Sequence, residues 1–251
     1  MLPATYLKMK TLNTPAKVFL ACLSIAVCSG CANQKTWVYR PESYTPVAHG
    51  TGKTIAVVAY EDERENKNSN LIGLYALPLM PFGWQELNSP EGIQQHMNSG
   101  MWINYKPTED YPKALSEDLK KTGLFSDAFF DYRKSTSDYA VKGKILSTKY
   151  VGRLWSYGLS VEGPLLWFIG LPSVTINNEV ELDLSLVNSK TDKVLFSKVY
   201  TANRSNVSFL YYIADDFDYP EMVAEVNKQF CTDIQPIILK AVVKEPEPEA
   251  P

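Results

Sequence analysis

The chain has 251 residues, of which 45% are hydrophobic and 21% charged, and this balance is typical of a globular protein rather than a disordered one. With 25 basic and 28 acidic residues the formal net charge is -3, and no Lys or Arg cluster provides the positive field that nucleic-acid binding needs. Only two histidines, His49 and His96, are present, which excludes most zinc and histidine-based catalytic schemes.

The first predicted element is a secretory signal peptide over residues 1–30. Three lysines and no acidic residue precede an apolar stretch that runs from Val18 to Gly30. A membrane-spanning helix needs about 20 apolar residues, so this stretch is too short for a permanent span. Translation starts at Met1 or at Met9, and the second start gives a more compact basic region.

The apolar stretch ends in the sequence CSGC, residues 28–31, which resembles the lipobox of bacterial lipoproteins. The resemblance implies that Cys31 is acylated, for example with palmitate, and becomes the new N-terminus, although Cys28 stands where a Leu is usual. Several acyl chains hold a protein on a bilayer because each buried CH₂ contributes about 0.8 kcal/mol. In such lipoproteins Ala32, in place of Asp, favours the periplasmic face of the outer membrane. The alternatives are the inner membrane, or a soluble periplasmic protein whose signal is cleaved elsewhere.

Residues 31–53 form a predicted lipidated tether, because they show neither helical nor strand periodicity. As a flexible coil the 22 residues after Cys31 would span about 26 Å on average. Trp37, Tyr39 and Tyr44 indicate that part of the tether packs on the domain or lies at the membrane interface. The mature chain then retains one free thiol, Cys231, which is predicted to be a core residue and has no partner for a disulfide.

The first predicted strand runs from Thr54 to Tyr60 and ends at an acidic group, residues 61–65, which is either a solvated strand end or a site for a cation or basic partner. A long stretch without sustained periodicity follows to about Glu109. A helix is predicted from Asp110 to Thr122, ending at Gly123, and residues 124–132 are predicted to contain a connector and a strand.

Residues 138–150 predict another strand, and residues 174–187 a third, in which apolar and polar residues alternate most regularly. A polar turn at 188–193 leads into an antiparallel partner over residues 194–201. The last helix begins near Asp218 and meets Pro236, which is predicted to break or kink it. Residues 244–251 form a disordered, acidic, Pro-rich tail.

This order predicts a single α+β domain over residues 54–243, with a mostly antiparallel sheet and two helices on one face. The strand TIAVVAYEDER, the passage PKALSEDLKKTGLFSDAFF and the hairpin of VELDLSLV with VLFSKVY resemble the TolB amino-terminal domain and related transport-auxiliary lipoproteins. The resemblance implies binding and assembly at the envelope, in some members as oligomeric rings, rather than catalysis.

Chemical motifs give no reason to expect an enzyme. The chain contains no GxSxG, HExxH or CxxC sequence, and neither histidine lies beside a nucleophile motif. We therefore expect no catalytic residues, no metal site and no cofactor other than the lipid on Cys31.

Two apolar segments framed by Gly and Pro are the most informative feature, at residues 73–84 and 163–172. Both are too short to cross a bilayer as helices. They either cover each other as a small satellite core or expose a contact surface for a partner, another copy or the membrane interface. The predicted contact residues are Leu79, Met80, Phe82, Trp84, Leu165, Leu166, Trp167 and Phe168.

The sequence thus predicts a lipid-anchored, non-enzymatic binding or assembly factor of the cell envelope, with an envelope protein or the chain itself as partner and no nucleic acid. The alternatives are a self-assembling or pore-type secretion lipoprotein and, from another class, an envelope enzyme.

Overall fold

The computed structural model describes residues 34–48, 50–90, 95–96, 100–103, 105–132 and 137–244. The predicted signal peptide, Cys31, His49 and the residues of the acidic tail from 245 onward lie outside the described residues.

The chain forms twelve described strands, two α-helices and two 3-10 helices. The strands are β1 (Gln34–Thr36), β2 (Thr54–Val58), β3 (Glu61–Asp62), β4 (Lys67–Leu71), β5 (Phe82–Asn88), β6 (Gln95–His96), β7 (Gly100–Ile103), β8 (Asp127–Asp131), β9 (Tyr139–Ser147), β10 (Tyr150–Trp155), β11 (Val174–Asn188) and β12 (Val194–Ser208). The α-helices are α1 (Pro107–Thr122) and α2 (Tyr219–Lys244), and the 3-10 helices span Ile72–Ala76 and Ser160–Ile169.

One large sheet organises the domain in the order β4-β5-β10-β11-β9-β2-β8, with β12 on the other side of β11 and β3 beside β9. Most neighbours are antiparallel, whereas β2 pairs in parallel with both β8 and β9. A smaller sheet joins β1, β7 and β6. The predicted α+β class, with a mostly antiparallel sheet and two helices, is confirmed.

The hairpin of β11 and β12 is the longest element of the sheet. Along β11 the alternation read from the sequence becomes a face of fully buried Val180, Leu182, Leu184 and Leu186, because side chains of a strand point to opposite faces in turn. Strand β12 continues to Ser208, past the predicted end at residue 201, since it remains paired with β11 as far as Val174.

The two α-helices pack on each other and on the buried face of the sheet. Helix α1 begins at Pro107, three residues before the predicted start, and is capped by Gly123 in the left-handed conformation. Pro236 lies inside α2, so the predicted break does not occur. The fully buried Ile234 and Ile238 on either side of it hold the helix to the sheet despite the lost backbone hydrogen bond.

Residues 66–109 contain short strands and a 3-10 helix where the sequence shows no sustained periodicity. Strand β4 is largely exposed, so its residues need not alternate. Its partner β5 is held from its other side by β10, and this neighbour far along the chain is what defines the element.

Much of the predicted tether packs along the domain. Trp37, Tyr39 and Tyr44 lie against the core, and the backbone N–H of Val47 donates to the carbonyl oxygen of Thr122 at 2.9 Å. The Tyr39 hydroxyl and the Asn227 side-chain amide both donate to Oδ2 of buried Asp118, the latter at 2.9 Å. Residues 37–48 therefore lie along the domain, and Trp37, Tyr39 and Tyr44 make the contacts with the core.

Candidate functional site

The structure brings the two apolar segments of the sequence together at one end of the large sheet. The backbone N–H of Leu79 donates to the carbonyl oxygen of Gly158 at 3.0 Å, and that of Ser156 donates to the carbonyl oxygen of Pro81 at 2.9 Å. The Ser160 hydroxyl donates to the carbonyl oxygen of Ala76, so the two 3-10 helices lie side by side. The turn after β10 therefore links the two segments through backbone hydrogen bonds.

Glycine permits this close approach of backbone to backbone. A Cβ on Gly83 would lie 1.9 Å from the carbonyl oxygen of Ile72, and a Cβ on Gly163 would lie 2.4 Å from that of Ser156. Both distances are far below van der Waals contact. Gly83 and Gly163 are thus structural requirements of this packing.

Aromatic rings form the base of this end. The rings of Phe82 and Trp155 meet edge to face with centroids 5.0 Å apart, and Trp155 stacks on Tyr157 at 5.7 Å. The Trp167 indole N–H donates to the carbonyl oxygen of Trp155 at 3.1 Å, which fixes the second 3-10 helix to β10. These contacts make a small satellite core outside the one that the helices cover.

The eight predicted contact residues divide between this satellite core and the surface. Met80, Phe82, Trp84, Leu166 and Trp167 are half-buried. Leu79, Leu165 and Phe168 are exposed, Leu79 to 90%. The two segments therefore contribute both to a satellite core and to exposed apolar surface.

A third apolar segment, which the sequence reading missed, lies beside the first two. It follows β12 and carries the run FLYYI at 209–213. The backbone N–H of Ser173 donates to the carbonyl oxygen of Ser208 at 2.8 Å, and Phe209 and Tyr212 pair as a bridge. The signal was present as five consecutive apolar or aromatic residues at the end of a strand, but the predicted strand stopped at residue 201.

We call residues 72–84, 154–172 and 207–213 together the apolar end. Its exposed large apolar side chains are Leu77, Leu79, Leu159, Val161, Leu165, Phe168, Ile169, Val207, Tyr211, Tyr212 and Ile213. Glu162 is the only Asp, Glu, Lys or Arg in these ranges, in a chain that is 21% charged. Large exposed apolar surfaces are a feature of sites that contact a protein or a membrane.

Backbone strain is concentrated in the same place. Among the described residues, four that are not glycine have positive φ, and three of them belong to the apolar end: Leu79 at 68°, Tyr157 at 57° and Ser160 at 57°. Such conformations cost of order 1–3 kcal/mol each and persist where the surrounding structure fixes them, which often occurs at functional sites. The strained backbone conformations and the exposed apolar side chains thus occur in the same loops.

The other sequence candidates are satisfied internally. Asp62 is paired with buried Arg64, which also donates to the Thr148 hydroxyl at 2.7 Å, and Glu63 accepts from Lys144 at 2.6 Å. Asp62 and Glu63 are thus paired with basic side chains of the same chain. Cys231 lies on the buried side of α2, and burial raises the pKa of its thiol well above the ordinary range, as expected for a core thiol.

Neither a cluster of metal ligands nor a membrane-spanning helix occurs in the described part of the chain. No group of three or more His, Cys, Asp or Glu side chains there is placed to hold a metal ion. None of the helices there combines the length and apolarity needed to cross a membrane.

Comparison with known proteins gives partial similarities. No family model matches the sequence, and no curated protein matches it. A DUF330 protein from Xanthomonas campestris is 15% identical with a TM-score of 0.48, covering 85% of this chain and 100% of that one. The PelC dodecamer from Paraburkholderia phytofirmans is 10% identical with a TM-score of 0.32, covering 77% and 92%.

Lipoprotein GNA1162 from Neisseria meningitidis is 16% identical with a TM-score of 0.26, covering 72% of this chain and 99% of that one. Solved structures similar to this chain therefore include a bacterial lipoprotein. All three TM-scores are below 0.5, so no argument about function is taken from them, and the TolB-like resemblance stays a prediction.

Proposed function

We propose that this protein is a lipid-anchored lipoprotein at the periplasmic face of the outer membrane and acts there as a non-enzymatic binding or assembly factor. The predicted signal peptide, Cys31 and Ala32 support the anchor and its location. The apolar end supports binding. The observation that carries the proposal is that three segments distant in the chain expose apolar side chains at one place with a single charged residue among them.

The anchor is tested by metabolic labelling with a fatty acid and by fractionation of outer and inner membranes. We expect Cys31→Ser to abolish labelling and to weaken membrane retention, whereas Cys22→Ser, which falls within the predicted signal peptide, keeps both. Acylation that survives in Cys31→Ser would contradict the proposal.

The binding surface is tested by cross-linking in cells, with capture of the protein and mass spectrometry of its neighbours. The variant Leu165→Ser/Phe168→Ser alters two exposed side chains, and Val194→Ser/Val199→Ser alters two exposed side chains of β12 outside the apolar end. We expect a discrete neighbour, lipid or protein, to be lost in the first variant and kept in the second. The same neighbours in both variants would show that the apolar end is not the contact surface.

A self-assembling lipoprotein is the second candidate, and one feature favours it. Strand β12 has 15 residues and pairs with β11 alone among the described strands, so its other edge presents backbone donors and acceptors to a further strand. Light scattering after size-exclusion chromatography in mild detergent separates the candidates. A stable ring would favour assembly, and a monomer would favour a simple adaptor.

A further inference from the structure

We infer that the apolar end inserts into the interfacial region of the bilayer that carries the lipid on Cys31. The inference rests on the proposed function for that lipid anchor and names the partner of the same surface. The partner is the lipid interface rather than a second protein.

The covalent connection to Cys31 is short. Thr36 and Val38 line a groove of about 680 Å³ together with Asp215 and Phe217, and from Trp37 onward the segment packs against the core. Asp215 follows the exposed Ile213 by two residues. Thr36 lies five positions after Cys31, so the chain between them spans at most about 17 Å when fully extended. An acylated Cys31 therefore keeps this side of the domain, where the third apolar segment ends, near the membrane surface.

The chemistry of the apolar end also suits a lipid interface. Protein interfaces surround an apolar centre with a polar rim and include many hydrogen bonds. Here Ile169 and Leu79 are exposed to 75% and 90%, and the neighbouring segment presents Tyr211 and Tyr212. Tyr and Trp are enriched where a membrane meets water because one part of the side chain is apolar and the other polar.

The large sheet is apolar at one end and charged at the other, as expected if the apolar end lies in the membrane interface. The apolar end lies at the start of β11, and the far turn between β11 and β12 carries Lys190, Asp192 and Lys193, all exposed. Fifteen strand residues place the two about 50 Å apart. With the apolar end in the interface, the charged turn faces water.

The test uses the full-length lipidated chain in vesicles of phosphatidylethanolamine with a minor share of phosphatidylglycerol. An environment-sensitive fluorophore is attached at Phe168→Cys or, as the matched control, at exposed Thr191→Cys in the far turn; Cys231 is buried and protected from the label. We expect brominated lipids to quench the label at position 168 and iodide to quench it at least about fivefold less than at position 191. Equal access of iodide to both labels would overturn the inference.

A second measurement separates this inference from the lipid anchor. Unlipidated Cys31→Ser protein should still bind the same vesicles, and Leu165→Ser/Phe168→Ser/Ile169→Ser on that background should weaken binding about tenfold or more, with circular dichroism unchanged. The control variant Val194→Ser/Val199→Ser should leave vesicle binding unchanged. Equal binding by the triple variant would overturn the inference while acyl labelling of Cys31 still stands.

A third measurement addresses the protein alternative. A photoreactive amino acid at position 168 in cells should cross-link to lipid. A discrete protein adduct there would overturn the membrane inference and leave the proposed binding function intact. Because the surface is almost uncharged, vesicle binding should also change less than about twofold between low and physiological salt, in contrast to electrostatic binding.

Discussion

The part of the sheet under the two α-helices and the apolar end use similar side chains in opposite ways. Between the helices and the sheet, Leu182 of β11 and Val226 and Phe230 of α2 are fully buried. At the apolar end, Leu165, Phe168 and Ile169 are mostly exposed. Burial supplies stability in the first region, whereas the second leaves its apolar side chains exposed to water. Apolar composition alone therefore does not separate core from contact surface.

A matched pair of substitutions gives the largest expected effect. Phe230→Ala should lower the free energy of unfolding by about 3–5 kcal/mol, because its ring is fully buried between Phe196 and Tyr200. Phe168→Ala should change it by less than about 0.5 kcal/mol. Urea unfolding of both variants measures the difference. Equal losses would mean that Phe168 is a core residue of the folded chain in solution.

Close backbone packing at the apolar end gives the next effect. Gly83→Ala should cost about 1–3 kcal/mol because its Cβ would meet the Ile72 carbonyl, whereas Gly73→Ala has open space around the new Cβ and should be nearly neutral. Hydrogen exchange read by mass spectrometry should show faster exchange of residues 72–84 in Gly83→Ala, with β11 unchanged. Faster exchange throughout β11 would show that the two regions unfold as one unit.

The buried carboxyl under the docked N-terminal segment gives a pH effect. Burial raises the pKa of Asp118, partly offset by hydrogen bonds from Tyr39 and Asn227. The folded chain thus binds this proton more tightly than the unfolded chain, so between the raised pKa and the ordinary 3.8 this group makes stability increase as the pH falls.

Asp118→Asn keeps one acceptor oxygen and removes the proton, so it should flatten this dependence in urea unfolding between about pH 7 and pH 4. Glu117→Gln, at an exposed neighbouring residue on α1, should leave this pH dependence unchanged. An unchanged slope in Asp118→Asn would mean that the carboxyl is solvated in solution.

Strain at Leu79 gives the smallest effect. Asn tolerates positive φ better than Leu, so Leu79→Asn should stabilise the fold by about 0.5–1 kcal/mol, whereas Leu77→Asn, at φ -83°, should give no gain. Thermal unfolding measures both variants. A gain in stability together with weaker vesicle binding would show that Leu79 is kept for contact at a cost to the fold, and a loss in stability would argue against strain there.

Local patterns predicted the elements that carry their own periodicity. The alternation from Val180 to Leu186 predicted β11, and Gly123 predicted the end of α1, because each depends on residues next to it in the chain. The end of β12 could not be read in this way, since its pairing with Val174 depends on a residue more than thirty positions away. At Pro236 the last helix continues without the break that was one of the two expected outcomes, because packing on the sheet outweighs a local preference.

The candidate site was predicted in part. Gly and Pro around residues 73–84 and 163–172 singled out two segments, but exposure depends on which side chains the turn at 156–158 brings together. No periodicity distinguishes Leu166, half-buried, from Leu165, exposed. The third segment was missed because the strand before it was read as too short.

The length of the β11–β12 hairpin determines how far its far turn lies from the apolar end. With its apolar end held at the bilayer, the domain becomes a rigid spacer that presents residues 189–193 about 50 Å above the lipid surface. Removing two residues from each strand would lower that turn by about 7 Å and leave every remaining side chain on its original face, because the strand repeat is two. The distance between the turn and the lipid surface would then be shorter, while the side chains of the turn itself stay the same.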